Sequence, residues 1–243
     1  MEIRYIGGPT ATIDFGGVRF LTDPTFDEPG DYPLGGGRTL TKTAGPAFVP
    51  DAADVVLLSH DQHPDNLDKA GRAFLERAPL TLSTRSAAER IAAVRALPRW
   101  EEVEVEGVRI TAVPAQHGPD GTEHLTGEVT GFVLRGEGLP TTYVSGDNAS
   151  LDVVREIAGR IGRVDVAVLF AGAARTKLLG EADLTLSSAA AAEAARILGA
   201  RDVVPLHFEH WKHFTQGRET LAPAFAGFAG FHLLEPGERI SLS

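Results

Sequence analysis

Four times along this chain, an apolar run with the character of a buried strand ends in a histidine or an aspartate. Val55-Val56-Leu57-Leu58 leads into Ser59-His60-Asp61-Gln62-His63-Pro64-Asp65-Asn66, and Val108 to Val113 runs into Pro114-Ala115-Gln116-His117-Gly118. Thr141 to Ser145 gives way to Gly146-Asp147-Asn148, and Val203-Val204-Pro205-Leu206 delivers His207. Such runs suit strands buried in a layered α/β protein, whose carboxyl ends position polar side chains rigidly. A chain patterned this way is constrained to collect imidazoles and carboxylates along a sheet edge.

Taken singly, three of these clusters also have ordinary structural readings. A histidine after a strand commonly caps or bonds the surface, and Gly146-Asp147-Asn148 also reads as a turn that caps a helix. The segment His60 to Asp65 differs, because two histidines and two aspartates within six residues put costly polar groups beside a buried strand. The sequence has no cysteine. Any metal must therefore be held by His, Asp or Glu, without thiolate ligands or disulfides.

Around these clusters the pattern alternates strands and helices. Ile3 to Ile6, Ala11 to Phe15 and Val18 to Thr22 read as a meander turning at Gly16-Gly17. Asp27 to Pro50, rich in Gly, Pro and Thr, reads as a long loop suited to binding or covering a site. Helices are expected over Leu67 to Arg77, Ala87 to Leu97, Leu151 to Ile161 and Ser187 to Leu198, the last alanine-rich and ended by Gly199. Strands are expected at Leu80 to Ser83, Glu101 to Val105, Gly131 to Arg135 and Val164 to Phe170. His232 falls in an apolar late strand with a structural role. The segments Asp54 to Ser59 and Asp165 to Phe170 are faintly parallel, as in a duplicated β-rich unit.

The segment Ser59 to Asp68 resembles the H-x-H-x-D-H metal motif of the metallo-β-lactamase-like hydrolases. His117, Asp147 and His207 then match that superfamily's later ligands in order. The opening residues Gly8 to Gly17 and Leu21 to Phe26 look most like the branch that contains ascorbate-phosphate lactonases and N-acyl-phosphatidylethanolamine phospholipase D. The resemblance spans essentially the whole chain and implies one α/β domain over residues 1–243, a four-layer αβ/βα sandwich of two facing mixed sheets with helices outside. Its metal site would lie at one edge of the sheets. The match has two departures: Gln62 stands two residues after His60, so His63 and Asp65 fit only with one residue inserted, and Asn66 stands where the motif ends in His.

From this resemblance, His60, His63 and His117 form a first metal site through a local bulge, and Asp65, Asp147 and His207 a second, with Asn66 a weak neutral ligand or none. Zinc is the expected ion, with manganese the alternative, since oxygen-rich sets suit manganese or magnesium better than zinc. One ion is expected to be held firmly and the second weakly or not at all. A metal-bound hydroxide would attack the substrate, with Asp65 orienting it or taking its proton. His213, in the aromatic segment Phe208 to Phe214, is read either as a donor to substrate or as part of a loop packed on the core. His124 is read as a solvated loop residue or one that reaches the site, and Asp23 as an orienter of a ligand histidine or a shaper of the turn before Pro24.

Three function classes follow: hydrolysis of a small ester, lactone or phosphodiester; a metal-poor relative that binds a ligand without catalysis; and a nuclease of the same fold. Net charge is −10, with 23 basic against 33 acidic residues, which disfavours a nucleic-acid partner. Neither a signal peptide nor a membrane span is recognisable, so a cytoplasmic protein acting on a small molecule is the expectation. The sequence leaves the oligomeric state open.

Overall fold

The computed structural model describes every residue from Met1 to Ser243. The chain opens with strands β1 (Glu2–Gly7), β2 (Thr10–Phe15) and β3 (Val18–Thr22), followed by β4 (Gly30–Gly35), β5 (Arg38–Lys42) and β6 (Val55–Leu57). Helix α1 (Lys69–Leu75), strand β7 (Leu80–Ser83), helix α2 (Arg85–Arg90) and strand β8 (Val94–Ala96) come next. The second half comprises β9 (Glu102–Val105), β10 (Val108–Pro114), α3 (Glu123–Thr126), β11 (Thr130–Arg135), β12 (Thr142–Val144), α4 (Leu151–Ile161), β13 (Val166–Phe170), α5 (Ser188–Leu198), β14 (Asp202–Leu206), α6 (Arg218–Ala224) and β15 (Arg239–Ser241).

These strands build two large mixed sheets, ordered β15-β1-β2-β3-β6-β7-β8 and β14-β13-β12-β11-β10-β9. Strand periodicity divides the first sheet's apolar side chains between its faces. Phe20, Val55 and Leu57 join the central core with Ile110, Phe132 and Val168 of the second sheet, while Leu21, Val56 and Leu58 pack outward against Phe74 and Leu75 of α1 and Ala87 of α2. Helices α4 and α5 pack on each other and cover the second sheet at β10 and β13. The result is a four-layer αβ/βα sandwich. Truncating a fully buried core ring such as Phe20 should cost about 3–5 kcal/mol.

Local signals explain several boundaries. Gly16 and Gly17 both have positive φ, 60° and 84°, as a two-residue hairpin turn matched to strand twist requires. Helix α5 starts where Ser187 accepts from the Ala190 N–H and stops where Gly199 turns left-handed.

Three expected elements are different in the structure. The helix expected over Ala87 to Leu97 stops at Arg90, and Val94–Ala96 instead forms β8, parallel to β7. Its apolar spacing fits either state, and pairing with the open edge of β7 decides for the strand. The expected loop from Asp27 to Pro50 contains the antiparallel hairpin β4–β5, which turns at Gly36-Gly37 with φ of 59° and 72°. His232 lies outside any strand, with Nε2 2.8 Å from Asp202 Oδ1.

Strand direction positions the chemistry. Because β11 is antiparallel to both β10 and β12, and β12, β13 and β14 are mutually parallel, β10, β12 and β14 all end at the same edge of the second sheet. His117, Asp147 and His207 follow those three ends. His60 follows β6 of the facing sheet.

Candidate metal centre

His60 is buried and held from behind by a relay. Its Nδ1 is 3.0 Å from Ser59 Oγ, which donates to Asp23 Oδ2 at 2.7 Å, while the Ser59 N–H donates to Asp23 Oδ1 at 2.6 Å. With the Ser59 proton directed to Asp23, Ser59 Oγ accepts from His60 Nδ1, so the His60 Nε2 lone pair faces forward. Asp23 thus orients His60 through Ser59 while also following the last residue of β3. Burial raises the Asp23 carboxyl to about 7, against the hydrogen bonds from Ser59.

A turn in which the Asn66 and Leu67 N–H groups donate to the His63 carbonyl, at 3.1 and 3.0 Å, swings His63 beside His60. Gln62 packs against Gly127, where a Cβ would come within 2.5 Å of the Gln62 amide. Asp61 is clamped by Arg90, whose Nε donates to Oδ2 at 2.9 Å. His117 reaches the same point from the second sheet, its Nδ1 donating to the Leu184 carbonyl at 2.8 Å, which leaves Nε2 free.

Three imidazoles therefore converge. His63 Nδ1 lies 2.9 Å from His60 Nε2 and 3.3 Å from His117 Nε2. Burial lowers His60 well below the ordinary histidine range and His63 to about 4, so both rings are neutral near pH 7. Three ring nitrogens brought this close together suit a shared cation.

Asp65, Asp147 and His207 form an adjoining buried set, with His207 Nε2 3.4 Å from both Asp65 Oδ2 and Asp147 Oδ1. Asp147 is delivered by Gly146, whose φ is +56° and where a Cβ would meet the Thr130 carbonyl oxygen at 2.6 Å. His207 itself has a φ of 57°, a strained conformation for a non-glycine residue. Burial alone would raise both carboxyls, yet His213 and His207 beside Asp65, and His207 beside Asp147, hold them well below the carboxylate range. Burial works against the His207 imidazolium too, but Asp147 and Asp65 raise it to about 10. Asp65 Oδ1 and His207 Nε2, the ring nitrogen that faces the two carboxylates, are buried without a hydrogen-bond partner, as expected of ligand atoms. Asn66 donates to Asp147 Oδ1 at 3.1 Å and Asp23 Oδ2 at 3.2 Å, so it positions a carboxylate.

The two sets meet where His117 Nδ1 lies 3.7 Å from Asp147 Oδ2. His213 Nε2 is 3.0 Å from Asp65 Oδ2, and a cavity of about 320 Å³ opens above, reached by His63, Asp65, His117 and His213. His124 is exposed, bonded to the Gly121 carbonyl and outside this cavity. His210 packs its ring against Gly7. Sequence reasoning gave no role to Ser59 or to the Leu184 carbonyl.

The model of the β-lactamase superfamily domain matches residues 18–208. The chain belongs to the metallo-β-lactamase superfamily. Within this superfamily it is 30% identical over 185 residues to a UPF0173 metal-dependent hydrolase of Methanosphaerula palustris, covering 72% of this chain and 78% of that one. A UPF0173 metal-dependent hydrolase of Pyrococcus abyssi is 28% identical over the full length of both chains. Among solved structures, an isothiocyanate hydrolase from Delia radicum gut bacteria shares the fold, with a TM-score of 0.84 and 22% identity over 100% of this chain and 99% of that one. No helix here is long and apolar enough to cross a membrane.

Proposed function

We propose that this superfamily member hydrolyses a small ester, lactone or phosphodiester, with zinc at His60, His63 and His117 and a second, weaker divalent site at Asp65, Asp147 and His207, where manganese is the alternative ion. The observation that carries this reading is the convergence of three histidine nitrogens beside an unpartnered carboxylate oxygen, with His63, His117 and Asp65 lining one cavity. A divalent cation bound there lowers the pKa of a coordinated water to about 7 and polarises the bond under attack.

The chain's own residues supply the rest. Asp65, kept ionised by His213 and His207, accepts the proton of the attacking water. His213, lining the cavity 3.0 Å from that carboxylate, donates to the leaving oxygen. Asp147 anchors the junction of the two sets, and Asn66 fixes its orientation. The acidic overall charge favours a small molecule over a nucleic acid.

The test is elemental analysis of the purified protein, followed by a screen of esters, lactones and phosphodiesters with and without chelator. One tightly held equivalent of zinc and chelator-sensitive turnover are expected. Turnover that persists after complete metal removal would overturn the reading.

A further inference from the structure

The cavity above the two ligand sets has a charge opposite to that of the chain. Acids outnumber bases across the sequence, by 33 to 23, yet Arg38, Arg175 and Lys177 line this cavity and Asp65 is its single acid. Arg175 is already committed, paired with Asp183 at 2.7 Å and with Glu181, neither of which lines the cavity. Arg38 and Lys177 are exposed and have no ion-pair partner. They approach from separate elements, Arg38 from the start of β5 and Lys177 from the short turn Lys177–Leu179.

Apolar surface accompanies them. Val49, Leu125 and Leu178 are the exposed large hydrophobic residues of the molecule, and Leu125 and Leu178, 45% and 49% exposed, both line this cavity with Leu34, Leu40 and Leu184. Exposed leucines beside two uncommitted cations complement a molecule that is apolar along its length and anionic at one end.

We infer that the substrate is an amphipathic oxyanion whose carboxylate or phosphate group engages Arg38 and Lys177 while its apolar segment lies on the leucines and its scissile bond faces Asp65 and His213. The scissile-bond placement rests on the hydrolase reading; the anion preference does not. Arg38 and Lys177 then set specificity, without touching the reacting atoms.

The test compares binding of 4-phenylbutyrate and its uncharged amide to the metal-loaded protein by calorimetry at low ionic strength. The acid should bind about tenfold more tightly than the amide. That ratio should fall towards one in the Arg38→Ala/Lys177→Ala double variant, and also in 0.5 M salt. Equal affinities in the unmodified protein, or no detectable binding of the acid, overturn the inference. So does a preference that survives in the double variant, because the carboxylate would then sit on the ligand sets. Binding is read without turnover, so failure of the hydrolase reading would appear separately, as a protein that prefers the acid yet cleaves nothing. Both substituted side chains are exposed, and an unchanged melting temperature checks the fold.

Discussion

His213 Nε2 stands 3.0 Å from Asp65 Oδ2, joining the cavity wall to a buried carboxylate of the second ligand set. Asp65→Asn keeps the shape of the side chain and removes its charge. On the proposed mechanism it should lower kcat by about 10²–10⁴. His213→Ala should cost less, about 10–100-fold, and the double variant should be no slower than Asp65→Asn alone, since the two groups act as one unit. Steady-state kinetics with elemental analysis of each variant checks this, and fully additive losses would separate the two residues.

The Asp23–Ser59–His60 relay should matter to metal retention before it matters to folding. Ser59→Ala removes the hydroxyl that holds the His60 ring and should weaken metal affinity about 10–100-fold. Competition against a chromogenic chelator measures it. An unchanged affinity would show that packing alone orients the ring.

The two ligand sets should differ in the protons they release. His60 and His63 are lowered by burial, His63 to about 4, so a cation binding these two rings displaces almost no proton from them between pH 6 and 9. Despite burial, Asp147 and Asp65 raise His207 to about 10, so filling the second set expels a proton throughout that range. Affinity of the second set should therefore rise about tenfold per pH unit, a dependence that His60 and His63 do not impose on the histidine set. Calorimetric titration in buffers of different ionisation enthalpy distinguishes them, and equal proton release from both sets rejects the assignment.

Lys42 Nζ donates to Asp68 Oδ2 at 2.9 Å in a nearly water-free pocket, tying β5 to the residue that caps α1. Asp68 also accepts from the N–H groups of Phe26, Asp27 and Gly71. Asp68→Ala should cost about 3–5 kcal/mol, because it strands a buried cation and three amides. Lys42→Met should cost less, because Asp68 keeps its amide donors. Urea unfolding midpoints give the ranking, and the reverse order would contradict it.

Much of this was legible in the sequence, for reasons that particular residues make plain. The strands ending at Leu57, Val144 and Leu206 are visible because they are buried on both faces and mostly apolar, and the one ending at Pro114 because only Arg109 in it is exposed. Helix α5 is visible because alanine, Ser187 and Gly199 agree locally. Strand β8 was hidden, since only its pairing with β7 distinguishes it from a helix. Hairpin β4–β5 was masked by its glycines, although Gly35-Gly36-Gly37 marked the turn. In the site, the grouping of His60, His63 and His117, and of Asp65, Asp147 and His207, follows the order of the motif. Of their supports Asp23 alone was anticipated: Ser59 meets it across 36 positions of sequence, and the Leu184 acceptor is a backbone carbonyl with no residue signature.

His60 and His63 come from one sheet and His117 from the other, so an ion bound among them would span the seam between the two halves of the sandwich. Neither half alone could hold it with all three nitrogens. Ion uptake would then report that the halves have docked, and its loss would loosen the seam at the end where the cavity opens. Resistance to heat and protease should accordingly track the free concentration of the ion as well as the sequence, making the reactive centre a rivet of the fold it depends on.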